Sequence, residues 1–141
     1  MKTITISSSM KFLKEMEDAE KQLREMGFKV FVPEGLIMVR SKKWTVPPTQ
    51  DGKIEAVKKY DFIRKHYSKI IESDAVLVLN YDKDGVINYI GPNTFLEMGF
   101  AFVSGKKIFL LNPIPDSQIS PEVQAMSPVI LNGDFNNIKS L

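Results

Sequence analysis

The sequence predicts an α/β fold in which helices cover both faces of a parallel, five-stranded sheet. Three observations support this prediction. Strand-like apolar segments alternate with helix-like segments along the chain. Residues 75–79 (AVLVL) are apolar at every position, which is typical of a strand buried inside a parallel sheet. Residues 95–103 have the length of a short helix, and a second apolar strand at 108–111 completes a strand-helix-strand unit.

The residue pattern of the N-terminal part predicts a strand, a helix and a second strand. Residues 3–7 alternate around two isoleucines, as a strand does. The helix that follows has apolar residues at intervals of three and four, and Gly27 ends it. Residues 29–32 predict the second strand, which stops at Pro33.

The middle of the chain is less regular. Residues 34–52 predict little regular structure apart from a short apolar piece at 36–39. Long irregular loops in compact domains are often functional, so we expect a lid or a contact between subunits here. One long helix is expected at about 53–72, and residues 129–131 predict the fifth strand.

This order of elements is typical of a flavodoxin-like (Rossmann-like), doubly wound sheet with the strand order 2-1-3-4-5. The 141 residues suffice for a single such domain. Ligands of these sheets bind beyond the carboxyl ends of the strands, where the winding direction reverses between the first and third strands. The loops at 7–11 and 80–93 should meet there, so we expect a binding site between them.

The composition narrows the possible functions. With no cysteine, the chain cannot form disulfides or use a thiolate, and we expect it in a reducing cytoplasm. No segment approaches the roughly 20 apolar residues that span a bilayer. The net charge of +2 is too small to indicate a nucleic-acid-binding protein. The basic residues beside Trp44, which are Arg40, Lys42 and Lys43, could contact phosphates, but we interpret them as part of a solvated loop.

Signatures of metal and cofactor sites are absent from the sequence. Asp82 and Asp84 resemble the start of a calcium loop, but the twelfth position would be Asn93, so they are interpreted as turn formers. The P-loop and dinucleotide fingerprints do not occur. We therefore expect no metal and no organic cofactor.

Glu97 is the only ionisable residue of segment 95–103. A lone carboxylate is costly to bury among aromatic and aliphatic side chains, so it needs an explanation. In one interpretation Thr94 caps the helix and Glu97 completes a capping box. In the other, the helix N-terminus favours an ionised carboxylate able to attack a sugar carbon. The spacing leaves both open.

Two further features have alternative interpretations. Ser7, Ser8 and Ser9 can cap the next helix, or they can hold an anion such as phosphate, with Lys11 adding charge. His66, the only histidine, is either structural or a group for proton transfer near neutral pH.

One stretch of the sequence resembles a known family. Residues 91–101 (GPNTFLEMGFA), with SGKK at 104–107 and an apolar strand after them, resemble the region around the nucleophilic glutamate of the nucleoside 2-deoxyribosyltransferases. The related deoxynucleoside 5′-monophosphate N-glycosidases share this region. In both groups the glutamate stands in an E-[LIM]-G-[YF]-x motif, which matches residues 97–101. The order of elements extends the resemblance over nearly the whole chain.

The resemblance implies a reaction and a set of residues. Glu97 would attack the anomeric carbon of a nucleoside, expel the base and form a glycosyl-enzyme ester that water or a second base resolves. Ser7, Ser9 and Lys11 would hold the 5′ end of the substrate, and Asn93 would contact the sugar or the base.

The sequence differs from the family pattern at two positions. A third position is one that a neighbouring subunit would supply. His66 replaces an aspartate that commonly handles the base, so we expect it to act as the general acid. Gly91 replaces an acidic residue. Family members complete each site from a neighbouring subunit, and the matching region here contains Asp134, which implies a homodimer or a larger homo-oligomer.

Two hypotheses follow. The first is an N-glycosidase or deoxyribosyltransferase that acts on a nucleoside or its 5′-monophosphate. The alternative is a nucleotide-binding or sensor module on the same fold, in which Glu97 is only a cap, because a fold does not determine a function.

Overall fold

The computed structural model describes residues 1–138 and 141 and contains a five-stranded sheet. The strands pair in parallel in the spatial order 2-1-3-4-5. The predicted fold class and strand order are confirmed.

Strands and helices alternate along the chain. The strands are β1 (Thr3–Ser7), β2 (Lys29–Phe31), β3 (Ala75–Val78), β4 (Lys107–Leu110) and β5 (Val129–Ile130). The helices are α1 (Leu13–Glu25), α2 (Glu34–Arg40), α3 (Gln50–Lys59), α4 (Phe62–Ile71), α5 (Pro92–Val103) and α6 (Ser120–Ala125). Short 3-10 turns at Met10–Phe12 and Phe135–Asn137 precede α1 and follow β5.

The sheet separates two apolar cores, and β3 contributes to both. Leu77 packs with Met16 of α1 in one core, whereas Val76 and Val78 pack with Met98 of α5 in the other. Successive side chains of a strand point to opposite faces, so a central strand between two cores must be apolar at every position. This explains the pattern of residues 75–79 in the sequence.

The prediction of one helix at about 53–72 is wrong, because α3 and α4 are separate helices. Asp61 between them has a left-handed backbone conformation (φ 53°). The break allows the rings of Tyr60 and Phe62 to pack against Trp44, with centroid distances of 6.3 and 5.3 Å. The aromatic contacts tie the segment at 41–49 to the start of α4.

The segment at 34–52 is more regular than predicted, because it contains α2 and the start of α3. Leu36 of α2 is buried, and Arg40 at its end donates a hydrogen bond of 2.7 Å to Glu20 of α1. Arg40 is therefore ion-paired, although its side chain stays 38% exposed to solvent as expected. Burial alone would raise the pKa of Glu20, but hydrogen bonds from Arg40 and Arg24 outweigh it, and the pKa lies below its ordinary value.

Among the residues that the structure describes, no helix combines the length and the apolar character needed to cross a membrane.

Candidate active site

A cavity of about 810 Å³ lies at the carboxyl ends of β1 and β3, where the topology predicts a binding site. Its walls come from the β1-α1 loop, from α2 and the segment after it, from α3 and α4, and from the β3-α5 loop with the start of α5. Small-molecule sites in proteins typically have volumes of roughly 300–1,000 Å³. The cavity is therefore large enough for a nucleotide.

The two loops predicted to meet at this site do contact each other. The ring of Phe12, after β1, packs edge-on against the ring of Tyr81, after β3, with a centroid distance of 5.4 Å. The β3-α5 loop folds back on itself, because the Tyr89 N–H donates to the Tyr81 carbonyl at 2.9 Å. Asp82 accepts a hydrogen bond of 2.9 Å from the Asn88 N–H, and Asp84 lies in the turn that the sequence predicts, with a left-handed backbone (φ 50°).

Helix α5 begins earlier than predicted, and this changes the position of Glu97 along it. Gly91 is the N-cap residue and Pro92 follows at the first helical position, where its restricted φ is favourable. Thr94 lies inside the helix and is buried, so the capping-box interpretation is wrong. Glu97 lies in the second turn and points into the cavity.

Glu97 is protonated more readily than an ordinary glutamate. Its side chain is 17% exposed. Burial raises the pKa of Glu97 to about 8, and a hydrogen bond with the Ser7 side chain opposes this rise in part. The expectation that the helix terminus keeps the carboxylate ionised is therefore wrong, because the cost of desolvation is larger.

His66 of α4 lies beside Glu97 in the same cavity. Its Nε2 atom is 3.0 Å from Oγ of Ser7 and 3.5 Å from Oε1 of Glu97. Burial, assisted by the charge of Lys69, lowers the pKa of His66 to about 3. The imidazole is neutral at physiological pH and holds no extra proton, so the expected role as general acid is not retained.

Ser7, His66 and Glu97 do not form a hydrolase triad. In such a triad the serine and the carboxylate bind opposite nitrogens of the imidazole. Here both contact Nε2, while Nδ1 is buried without a hydrogen-bond partner among the described residues. Ser7 has no exposed surface, so it is unsuited to attack a substrate.

The serine run divides into two parts with different surroundings. Ser8, Ser9 and Lys11 line the cavity. Ser9 accepts a hydrogen bond of 3.2 Å from the Lys11 N–H and so caps the 3-10 turn. Ser7 is not among the residues of the cavity wall, and its expected contact with the 5′ end of a substrate is not retained. Along β1, Ser7 alternates with the isoleucines and therefore lies on the opposite face of the strand, toward α4. This alternation is visible in the sequence.

The cavity carries positive charge. Lys11, Lys53 and Lys83 line it, and no carboxylate lies within ion-pair distance of them in the described part of the chain. The acidic group at the rim, Glu34, is paired with Lys69 at 3.2 Å. Such a cavity favours an anionic ligand.

Asn93 and Asp134 occupy different places. Asn93 lies one helical turn before Glu97 and lines the cavity. Asp134 is exposed, accepts a hydrogen bond of 2.9 Å from the Asn136 N–H, and lies outside the cavity of its own chain. Of the predicted site residues, Ser7 therefore lies behind the cavity wall in contact with His66, Asp134 lies apart, and the others line the cavity.

Sequence reasoning missed several residues of the cavity wall. The sequence indicates Ser8 only as part of the serine run and Trp44 only as part of a basic loop. It gives no signal for other residues of the wall, which include Lys53, Lys83 and Tyr89. Their position depends on how distant segments pack, which no local pattern reveals. Within the described residues there is no cluster of three or more side chains suited to hold a metal ion.

Comparisons with known proteins identify the fold. No protein-family model matches the chain, and no curated protein is significantly similar to it. A solved 2-deoxyribosyltransferase from Bacillus psychrosaccharolyticus is 20% identical, with 95% of this chain and 93% of that chain covered and a TM-score of 0.56. The chain has the fold of this transferase.

A second solved structure supports the same conclusion. A CMP N-glycosidase from Clostridium botulinum is 22% identical, with 93% of this chain and 90% of that chain covered and a TM-score of 0.53. Both alignments span nearly the full length of the two proteins. The fold implied by the resemblance around Glu97 is confirmed.

Proposed function

We propose that this protein cleaves the N-glycosidic bond of a nucleoside or its 5′-monophosphate, with Glu97 as the nucleophile. The observation that carries the proposal is the position of Glu97, whose carboxyl group enters the cavity without serving as a helix cap. The similarity in fold to a deoxyribosyltransferase and a CMP N-glycosidase supports it.

The reaction has two steps. Ionised Glu97 attacks the anomeric carbon, the bond to the base breaks, and its electron pair leaves with the base. Water or a second base then attacks the same carbon and releases the carboxylate, as in retaining glycoside cleavage. Because burial keeps Glu97 largely protonated at neutral pH, loss of that proton precedes attack.

Two parts of the cavity wall orient the substrate. The loop with Ser8, Ser9 and Lys11 receives the 5′ end, and the positive charge of the wall favours a 5′-phosphate. Asn93 is placed one helical turn from Glu97, where its amide can bind a sugar hydroxyl or the base.

The enzyme acts as a homodimer or a larger homo-oligomer. Leu96 and Val103 of α5 and Ile63 and Tyr67 of α4 are exposed apolar residues on neighbouring helices. Leu96 and Ile63 also line a small groove that includes Glu97. We expect a second copy to cover this face and to contribute its Asp134 to the site.

One observation favours the alternative of a nucleotide-binding module. A carboxyl group with a pKa of about 8 is a weak nucleophile at neutral pH, because most of it is protonated. This alternative predicts nucleotide binding without turnover.

Chromatographic measurement of released free base distinguishes the glycosidase from the nucleotide-binding module. Ribo- and deoxyribonucleosides and their 5′-monophosphates are incubated with the protein, with and without a second base. The control is Glu97→Gln, whose amide has nearly the shape of a protonated carboxyl group and should preserve the site. Base release by the wild type alone supports the enzyme, and dependence on the second base distinguishes transferase from hydrolase. Nucleotide binding without base release by either protein overturns the proposal.

A further inference from the structure

Ser7 connects two groups that come from different helices. It is the last residue of β1, and in the alternation along this strand it shares a face with Thr5, opposite Ile4 and Ile6. That face is directed toward α4, because Thr5 bonds to the Lys69 carbonyl and Ser7 Oγ lies 3.0 Å from His66 Nε2. Glu97 of α5 belongs to the same cluster, because its Oε1 lies 3.5 Å from the same His66 Nε2 atom and hydrogen bonding by the Ser7 side chain lowers the pKa of Glu97.

The direction of these hydrogen bonds follows from the protonation of His66. The imidazole is neutral, so one ring nitrogen carries a proton and the other does not. Nδ1 is buried with no partner among the described residues. A buried N–H without an acceptor is rarer, and more costly, than an unused acceptor. The proton therefore belongs on Nε2, which donates to Ser7 Oγ and leaves the Ser7 hydroxyl proton for Glu97.

We propose that Ser7 is a positioning residue that relays a hydrogen bond from His66 to Glu97, holds this carboxyl group toward the substrate and favours its ionised form. The inference rests on the proposed function, because it assigns Ser7 to the nucleophile of that reaction.

The chemistry of the relay suits this role. A hydroxyl group that accepts a hydrogen bond becomes a better donor, because hydrogen bonds in a chain polarise one another. A hydrogen bond donated to a carboxylate favours the charged form and lowers its pKa. Ser7 therefore opposes the desolvation of Glu97, which alone would raise the pKa of this carboxyl group further.

The charged groups near the relay do not replace Ser7. Lys69 of α4 acts on His66 but is bound to Glu34 at 3.2 Å and to the Val32 carbonyl at 2.7 Å. The cavity lysines, Lys11, Lys53 and Lys83, come from other segments and are not among the causes of the pKa shift of Glu97. Ser7 is the side chain whose hydrogen bond lowers the pKa of this carboxyl group.

The first measurement needs no turnover. In protein labelled with carbon-13 at glutamate side chains, the Glu97 signal is identified by its loss in Glu97→Gln and is titrated in the wild type and in Ser7→Ala. We expect the pKa of Glu97 to rise by roughly one unit in Ser7→Ala, because a hydrogen bond to the charged form is lost. An unchanged pKa overturns the inference. Ser7→Thr, which retains the hydroxyl group, should restore the wild-type value.

The second measurement uses the wild type alone, so it does not depend on how a variant folds. His66 is the only histidine, so its nitrogen-15 signals are unambiguous. We expect a neutral ring with the proton on Nε2 from about pH 5 to about pH 8. A proton on Nδ1, or an imidazolium in this range, overturns the relay.

Activity separates this inference from the proposed function. If the wild type releases base, Ser7→Ala should lower kcat about 10-fold with little change in KM, and the alkaline shift should appear in its pH profile. Base release with an unchanged Glu97 pKa in Ser7→Ala overturns the inference alone. If the wild type releases no base, the proposed function fails, and the titration still decides whether Ser7 controls Glu97.

Discussion

Nε2 of His66 lies 3.5 Å from Oε1 of Glu97, although the two residues belong to different helices. Both groups are neutral at physiological pH, because burial raises the pKa of Glu97 to about 8 and lowers that of His66 to about 3. Oppositely shifted neighbours of this kind are typical of active sites.

The rate of base release should increase with pH. Glu97 must lose its proton before it attacks, so kcat/KM should rise and level off above about pH 8. The measurement is a pH profile with a 5′-monophosphate at constant ionic strength. A profile that falls over this range would contradict Glu97 as the nucleophile.

The stability contributed by Glu97 should decrease as the pH rises. Its pKa is raised on folding from 4.5 to about 8, so the folded protein binds the proton more tightly across that interval. The free energy of unfolding of the wild type relative to Glu97→Gln should therefore fall between these values, by up to a few kcal/mol. Urea denaturation at several pH values tests this, and a constant difference refutes it.

The stability contributed by His66 should decrease as the pH falls, which is opposite to the effect of Glu97. Its pKa falls from 6.5 to about 3 on folding, so stability is lost as the pH drops through this interval. His66→Gln retains a donor but cannot be protonated, so the wild type should lose stability relative to it below about pH 6.5. Parallel stability curves for the two proteins would show that His66 does not titrate in this way.

Lys11 should recognise a 5′-phosphate. Lys11→Ala should raise KM about 10-fold for 5′-monophosphates and leave unphosphorylated nucleosides nearly unaffected, because it removes one charged contact. Lys14→Ala is the matched control, since Lys14 is an exposed lysine at the start of α1 that does not line the cavity. Equal effects on both substrate types would place the phosphate elsewhere.

Nucleotide binding should change the fluorescence of Trp44. This residue lines the cavity and is the only tryptophan, so the signal has one source. A titration with CMP in Glu97→Gln separates binding from turnover. Saturable quenching or a spectral shift is expected, and an unchanged spectrum at saturating nucleotide would exclude contact with Trp44.

Subunit mixing should restore activity if Asp134 acts on a neighbouring site. Asp134→Ala and Glu97→Gln should each be inactive or nearly so, whereas a co-refolded mixture has some sites with both side chains intact. Failure of the mixture to recover activity would contradict a shared site.

Val103→Lys on the exposed face of α5 should favour the monomer in sedimentation velocity experiments. Ile87→Lys is the matched control, because Ile87 is also exposed but lies in the β3-α5 loop.

Local patterns predicted much of the architecture. The apolar run at 75–79 indicated a central parallel strand, and its residues do pack against both cores. The order of strands and helices predicted the site at the ends of β1 and β3. By contrast, the break at Asp61 accompanies contacts with Trp44, which is distant in sequence, and no local pattern predicted it.

The sequence by itself determined the alternation of elements, the strand order that follows from it and the unusual position of a single carboxylate, Glu97, in an apolar helix. These depend on hydrophobic periodicity, which is a local property. Only the tertiary structure decided that Glu97 is no cap, that Ser7 faces His66, and that both ionisable groups are neutral. Desolvation and hydrogen bonding depend on which distant residues surround a group, so no local pattern predicts them.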